Sequence, residues 1–71
     1  MIALGIRIRN LREAQGLSQQ ELAYESDIHQ KTIQKIETAK LNPSFDTLVS
    51  LSEGLGVSLS DLMNFEAKKK P

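Results

Sequence analysis

The sequence contains no cysteine and no tryptophan, and its only aromatic residues are one tyrosine and two phenylalanines. The lack of cysteine excludes disulfide bonds and thiolate metal sites. With so few aromatics, a core built from leucine, isoleucine, alanine and valine favours packed helices over a sandwich or a barrel. A length of 71 residues predicts one domain with a single modest core.

Long apolar runs are also absent. No stretch approaches the roughly 20 residues that a membrane-spanning helix requires, and the first residues lack the apolar segment of a signal peptide. We therefore expect a soluble, cytoplasmic protein with no membrane contact.

The chain has no excess of either charge, because nine basic and nine acidic residues cancel. This balance argues against a general nucleic-acid coat but leaves room for a local basic surface. The acidic residues Glu21, Glu25 and Asp27 separate two basic groups, and a third basic group forms the tail. The basic groups are Arg7, Arg9 and Arg12; Lys31, Lys35 and Lys40; and Lys68, Lys69 and Lys70.

Short polar or glycine-containing joints divide the chain, and the apolar spacing between them is helical. Ser18 and Glu21 have the spacing of a capping box, while Ser44 and Ser58 are suited to cap later helices. The four glycines are interpreted as helix ends. The pattern predicts five short helices, at about Leu4–Gln15, Gln19–Ser26, Gln30–Thr38 and Phe45–Gly54, with a brief fifth helix after Ser58.

The predicted core comes from the apolar side of each helix. Ile33 and Ile36 point inward from the third helix, and Leu55 and Val57 fill the core after the fourth. From the fourth helix itself we expect four residues to be buried: Phe45, Leu48, Val49 and Leu51.

The outer face of the third helix is polar and carries no acid. A helical wheel places Lys31, Gln34, Lys35 and Thr38 together, with Gln30 at their flank. An ordinary solvated helix face is one interpretation, because lysine and glutamine are common in helices. Glu37 instead lies near the core-facing edge, where a buried carboxylate needs a partner.

The arrangement of the second and third helices favours a different interpretation. A capped short helix, a tight turn and a second helix rich in amide and basic side chains describe a helix-turn-helix, which spans about residues 18–38. In such a unit the second helix enters the major groove of DNA. Glutamine can bond adenine and lysine can bond guanine there, and Gln19 at the start of the earlier helix can hold a phosphate.

Nearly the whole chain resembles the lambda-repressor-like family, the Cro and phage-repressor (XRE) helix-turn-helix proteins. The resemblance rests on "LREAQGLSQQELA", on the Ile-x-Lys-Ile-Glu pattern of residues 33–37, on "NPS" followed by "TL", and on "LGVSLSDL". It implies an all-α, compact five-helix DNA-binding domain over residues 1–66, with a basic tail at 67–71. It also implies binding to double-stranded DNA as a homodimer.

The resemblance assigns roles to individual residues. The expected base-reading residues are Gln30, Lys31 and Lys35, and those touching a base or a phosphate are Thr32 and Gln34. The expected phosphate contacts are Gln19, Lys40, Asn42 and the backbone of Ser44. Arg12 is expected to pair with Glu37. We place the dimer surface at Leu55, Val57, Leu59, Met63 and Phe65, and Ile2 and Ile6 are either the core margin or dimer contacts.

Three residues depart from the family pattern. Asp27 and Ala39 stand at turn positions where the family usually has glycine, and alanine is costly in a left-handed conformation. His29 stands where a serine or threonine cap is common, so we expect it to cap poorly or to contact a phosphate.

Two function classes follow from these expectations. The first is a sequence-specific DNA-binding transcription regulator, of the phage or prophage repressor type, that occupies an operator. The second is a protein-interaction module on the same fold, such as an antitoxin or an adaptor. We expect no enzymatic activity, no metal and no cofactor, because Ser18 is explained by capping and His29 has no second ligand beside it.

Overall fold

The computed structural model describes residues 2–65, which form five α-helices in the order that the sequence predicts. α1 packs against α3, α2 packs against both α3 and α4, and α5 closes on α4. The chain is therefore a set of crossed short helices, and α2 and α3 form the helix-turn-helix. The helices are α1 (Ile2–Ala14), α2 (Gln19–Ser26), α3 (Gln30–Glu37), α4 (Phe45–Leu55) and α5 (Leu59–Leu62).

Every helix contributes at least one side chain to one apolar core. Burying a leucine or isoleucine fully contributes roughly 1.5–3 kcal/mol relative to leaving it exposed, so this small set is the main source of stability. The core consists of Leu4, Ile8, Leu22, Ala23, Ile33, Ile36, Leu51, Leu55 and Leu62.

Hydroxyl caps begin three of the helices. Ser18 Oγ accepts from the backbone N–H of Glu21 at 3.0 Å, and the Glu21 carboxylate accepts from the backbone N–H of Ser18 at 2.8 Å. This confirms the predicted capping box. Ser44 and Ser58 cap α4 and α5. His29 precedes α3 without a capping hydrogen bond from its side chain, so α3 begins with a weaker cap than its neighbours.

The first four helices end in the same way. Each is followed by a residue with a left-handed backbone, and backbone N–H groups at this end donate to carbonyls of the last helical turn. Gly16 and Gly56 fill this position after α1 and α4. Asp27 after α2 and Ala39 after α3 adopt it at φ values of 57° and 62°. Both ends that lack glycine therefore flank α3, and Ala39 carries the steric cost of its Cβ.

Two glycines lie inside helices, which corrects the interpretation that all four mark helix ends. A Cβ on Gly5 would lie 2.5 Å from the carbonyl oxygen of Ile36, and one on Gly54 would lie 2.0 Å from Ser26 Oγ. Gly5 thus lets α1 approach the end of α3, and Gly54 lets α4 approach the end of α2. The sequence pattern did not show these contacts because they join distant parts of the chain.

The prediction that Phe45 is buried is wrong. Its side chain is 67% exposed, because it occupies the first turn of α4, beyond the edge of the core. Leu48 and Val49 are half-buried and Leu51 is fully buried. The apolar stripe of α4 therefore enters the core one turn later than predicted.

Within residues 2–65 no helix is both long and apolar enough to cross a membrane. The basic tail at 67–71, with Lys68, Lys69 and Lys70, lies outside the described residues.

Candidate DNA interface

The outer face of α3 presents the basic and amide side chains that the helical wheel predicts. Lys31, Gln34 and Lys35 are exposed and surround a shallow concavity that Thr38 and Lys40 complete. Among residues 2–65, none of the three lysines lies within ion-pair distance of a carboxylate. Three positive charges on this face are therefore free to meet an anion.

The nearby acidic residues of α2 surround a different concavity. Glu21 and Glu25 lie there with Tyr24, which is 85% exposed. Glu21 is also held in the capping box by its bond to Ser18. The acids that precede α3 in the sequence consequently leave its lysine face uncovered.

The expected DNA-contacting residues do not form one continuous group. Gln30 and Thr32 line a separate concavity, together with His29, Gln20 and Thr47, where α2, α3 and α4 meet. Gln30 and His29 are exposed, whereas Thr32 is half-buried. The N-terminal end of α3 thus presents its side chains beside α2, and the rest of the helix presents a separate basic surface.

Backbone hydrogen bonds to the last turn of α3 fix the start of the loop between α3 and α4. The Lys40 backbone N–H donates to the carbonyl of Lys35 at 2.7 Å, and Ala39 donates to Ile36 at 3.1 Å. Lys40, Asn42 and Ser44 are all exposed. Ala39 therefore adopts the left-handed backbone usual for glycine, and the hydrogen bonds that end α3 form around it.

A buried ion pair ties α1 to α3. Arg12 Nε lies 2.7 Å from Glu37 Oε2 and Arg12 Nη2 lies 3.1 Å from Glu37 Oε1, while Arg12 Nη1 donates to the carbonyl of Leu17 at 2.8 Å. The Glu37 side chain is fully buried. The structure thus brings together the two residues expected to pair, in the bidentate geometry to which a guanidinium is suited.

The same contact affects the ionisation of Arg12. The hydrogen bond to Glu37, and then its negative charge, raise the pKa of Arg12 above its ordinary value, although burial acts in the opposite direction. A raised pKa in the folded state means that the stabilising contribution of Arg12 is present at neutral pH and is lost only as the pH rises through that folded-state pKa. Arg12 therefore keeps the positive charge that its contact with Glu37 uses throughout the physiological pH range.

Two further side chains approach the Glu37 carboxylate, and sequence reasoning missed both contacts. Gln19 Nε2 donates to Glu37 Oε1 at 3.0 Å, and Arg9 Nε lies 3.7 Å from the same oxygen. Gln19, an expected phosphate contact, therefore uses one amide hydrogen inside the protein. Arg9 and Arg12 are three residues apart and so share one face of α1. This spacing could have indicated that Arg9 also approaches Glu37.

The expected dimer surface needs one correction. Leu55 is 2% exposed and belongs to the core, so it is not available at a surface. Val57, Leu59 and Phe65 are half-buried against that core, and Met63 is 37% exposed. The sequence pattern suggested Leu55 because it follows the α4 stripe into a turn, but the turn begins only at Gly56.

The N-terminal part of α1 exposes further apolar side chains beside the C-terminal end of the described chain. Ile2 and Ile6 are 70% and 51% exposed. Ile6 and Ala3 line a concavity that Phe65 and Asn64 complete. Within residues 2–65, no three histidine or acidic side chains are grouped closely enough to hold a metal ion.

Comparison with known proteins identifies the family. A family profile described as Helix-turn-helix matches residues 8–62. Control protein C.BamHI of Bacillus amyloliquefaciens is 35% identical over 65 residues, which cover 90% of this chain and 80% of that protein. The transcriptional regulator PuuR of Escherichia coli is 37% identical over 70 residues, but this chain spans only 37% of its length.

Solved structures give the same result. The crystal structure of the restriction-modification controller protein C.AhdI from Aeromonas hydrophila superposes with a TM-score of 0.85 at 31% identity, covering 87% of this chain and 94% of that one. The profile covers both helices of the helix-turn-helix and the helices that support them. The chain belongs to the helix-turn-helix family of the XRE, Cro and C1 type, and it is a DNA-binding transcription regulator rather than an enzyme.

Proposed function

We propose that this chain regulates the transcription of restriction-modification genes by occupying an operator. The observation that carries DNA recognition is the unpaired lysine face of α3. Lys31 and Lys35, with Gln34 between them, are exposed and lack a carboxylate partner among residues 2–65. Such side chains bond the base edges of the major groove, while phosphate contacts supply most of the affinity.

The restriction-modification role is supported by relatives of similar length. This chain covers 80% of C.BamHI and 94% of C.AhdI, whose names describe a control protein and a restriction-modification controller. A phage or prophage repressor, which we expect from the sequence alone, has less support from these matches. We accordingly propose the controller role in its place, with action in the cytoplasm.

The roles of individual residues are part of this proposal. We assign base contacts to Gln30, Lys31 and Lys35, and contacts to a base or a phosphate to Thr32 and Gln34. Gln30 and Thr32 would act from the end of α3 beside α2, and the other three from the lysine face. Phosphates would be held by Gln19, Lys40, Asn42 and the backbone of Ser44.

We also propose that the chain binds DNA as a homodimer. The surface we assign to the dimer contains Met63 and Phe65, continued by Ile2 and Ile6 of α1. Ile6 and Phe65 line one concavity, and Ile2 and Met63 are exposed apolar residues near them in the sequence. Val57 and Leu59 would contribute their exposed parts. A two-fold dimer predicts an operator with two half-sites about one helical turn of DNA apart.

The direct test is the selection of bound duplexes from a random pool, followed by fluorescence anisotropy at low salt. We expect a two-fold-symmetric site. Binding to no duplex would refute DNA recognition, and it would favour the antitoxin or adaptor alternative if a protein partner were recovered instead.

A second selection, from fragments of the source genome, tests the controller role. Enrichment of promoters of restriction or methyltransferase genes is the expected result. Enrichment of unrelated promoters alone would contradict the controller role and leave DNA recognition intact.

A further inference from the structure

Arg9 is the cation of α1 that forms an ion pair with Glu37 but no hydrogen bond among residues 2–65. Its side chain is 51% exposed, and its nearest carboxylate contact is 3.7 Å long, which is beyond hydrogen-bonding distance. A guanidinium has five N–H donors. Within residues 2–65, no acceptor forms a hydrogen bond with any of them.

Glu37 does not need Arg9, because other donors already satisfy its carboxylate. Arg12 donates to both oxygens and Gln19 donates to Oε1. Among residues 2–65, Glu37 is the only carboxylate within 4 Å of Arg9, and Glu13 approaches Arg12 instead, at 3.9 Å. Arg9 therefore retains N–H donors that no acceptor among residues 2–65 takes, and these donors can bind an anion.

Gln19 has a second amide hydrogen that no acceptor among residues 2–65 takes. Its amide nitrogen carries two hydrogens, and Glu37 accepts one of them. Arg9 Nε and Gln19 Nε2 lie 3.7 Å and 3.0 Å from the same oxygen of Glu37. A phosphodiester has two unesterified oxygens that accept hydrogen bonds at about 2.7–2.9 Å from charged donors, so one phosphate group can reach both side chains.

We infer that Arg9 and Gln19 together bind a single DNA backbone phosphate, and that the buried Glu37 positions them. This inference rests on the proposed function and adds Arg9 to its phosphate contacts. Glu37 is the last residue of α3, next to Thr38, which borders the lysine face. The carboxylate therefore joins the phosphate contact of α1 and α2 to the helix that contacts the bases.

The first test compares the salt dependence of duplex binding for Arg9→Gln and Arg7→Gln. Both variants remove one charge from α1, but Arg7 faces α5, where it donates to the Asp61 carbonyl at 2.7 Å. We expect Arg9→Gln to lower the slope of log Kd against log salt by about 0.9 for each bound subunit. Arg7→Gln should keep the wild-type slope, and Arg9→Lys should restore it. Thermal unfolding checks that each variant is folded.

The second test replaces operator phosphates one at a time with uncharged methylphosphonates. Several positions should weaken wild-type binding, and at one of them the replacement should have no further effect on Arg9→Gln or on Gln19→Ala. The inference would be overturned if methylphosphonates weakened Arg9→Gln as much as the wild type at every position. It would also be overturned if Arg9→Gln kept the wild-type slope of log Kd against log salt. In both cases the proposed function would stand. Failure of the wild-type chain to bind any duplex would overturn the proposed function itself.

Discussion

Ala39 is the residue whose backbone conformation conflicts most clearly with its side chain. At φ 62° its Cβ costs roughly 1 kcal/mol or more relative to glycine, yet the hydrogen bonds that end α3 are all formed. The end of the recognition helix is therefore maintained by its backbone bonds and by the Glu37 contacts rather than by a favourable residue.

Replacing Ala39 with glycine is expected to stabilise the protein by about 1 kcal/mol, because glycine adopts this conformation without strain. Urea unfolding followed by circular dichroism measures the change. As a matched control, Gly56→Ala places an alanine at the equivalent end of α4, φ 69°, and should destabilise by a similar amount. Equal or lower stability of Ala39→Gly would show that the strain is absent.

Gly5 differs from Ala39, because the close approach of α3 leaves no room for a Cβ there, whereas its helical backbone would allow other residues. Helix propensity alone predicts that Gly5→Ala stabilises α1 by about 0.5–1 kcal/mol. Contact of the new Cβ with the Ile36 and Glu37 carbonyls, at 2.5 and 3.0 Å, predicts a loss of about 1–3 kcal/mol from overpacking. A lower midpoint in urea supports the close approach of α1 to α3, and a higher midpoint contradicts it.

At the scale of elements, α3 separates the two kinds of DNA contact that we propose. Lys35 lies on its exposed face, whereas Gln19 lies at the start of α2 and is bonded to Glu37. The first position suits contacts to bases and the second suits contacts to the backbone.

We expect Lys35→Ala to relax the preference at one base position of each half-site, with a cost of about 1–3 kcal/mol there. Gln19→Ala should weaken all duplexes alike. Competition binding against operators with single-base changes measures both effects. The assignment fails if the two variants lose affinity and preference in the same pattern.

Local signals predicted most of the elements. The capping residues Ser18, Ser44 and Ser58 and the terminal Gly16 and Gly56 act within a few residues of the helix ends that they mark. For this reason the order and approximate bounds of the five helices could be predicted from the sequence.

Features that depend on contacts between distant residues could not be predicted in the same way. The exposure of Phe45 is set by where the core ends, and the packing of Gly5 against α3 joins residues more than thirty positions apart. The bond between Gln19 and Glu37 also needs the crossing of α2 and α3. The Arg12 and Glu37 contact was expected only because the family resemblance supplied the pairing.

At the scale of the whole molecule, the described chain exposes apolar side chains on α1 and after α5, and also at Tyr24, Leu41 and Phe45. Met63 is 37% exposed, and Ile6 shares a concavity with Phe65. Covering such side chains with a second copy would remove apolar area from water.

Met63→Glu is therefore expected to shift a dimer toward monomer and to weaken operator binding, because two half-sites are no longer engaged together. Analytical ultracentrifugation measures the oligomeric state. Tyr24→Glu is the control for the oligomeric state, since it adds the same charge at an 85% exposed residue of α2. A stable Met63→Glu dimer would place the interface elsewhere.

The chain has no formal net charge, so its binding to DNA depends on where its charges lie. The lysines of α3 and the loop have no carboxylate partner among residues 2–65, and the acids of α2 lie around another concavity. Binding should depend on this local surface and not on a global field.

The most direct measurement is a salt titration of operator binding by the wild-type chain, followed by fluorescence anisotropy. Local phosphate contacts predict tight binding at about 50 mM salt that weakens by roughly two to three orders of magnitude at about 200 mM, with a linear dependence of log Kd on log salt. Affinity that is absent at low salt, or that does not change with salt, would contradict the account.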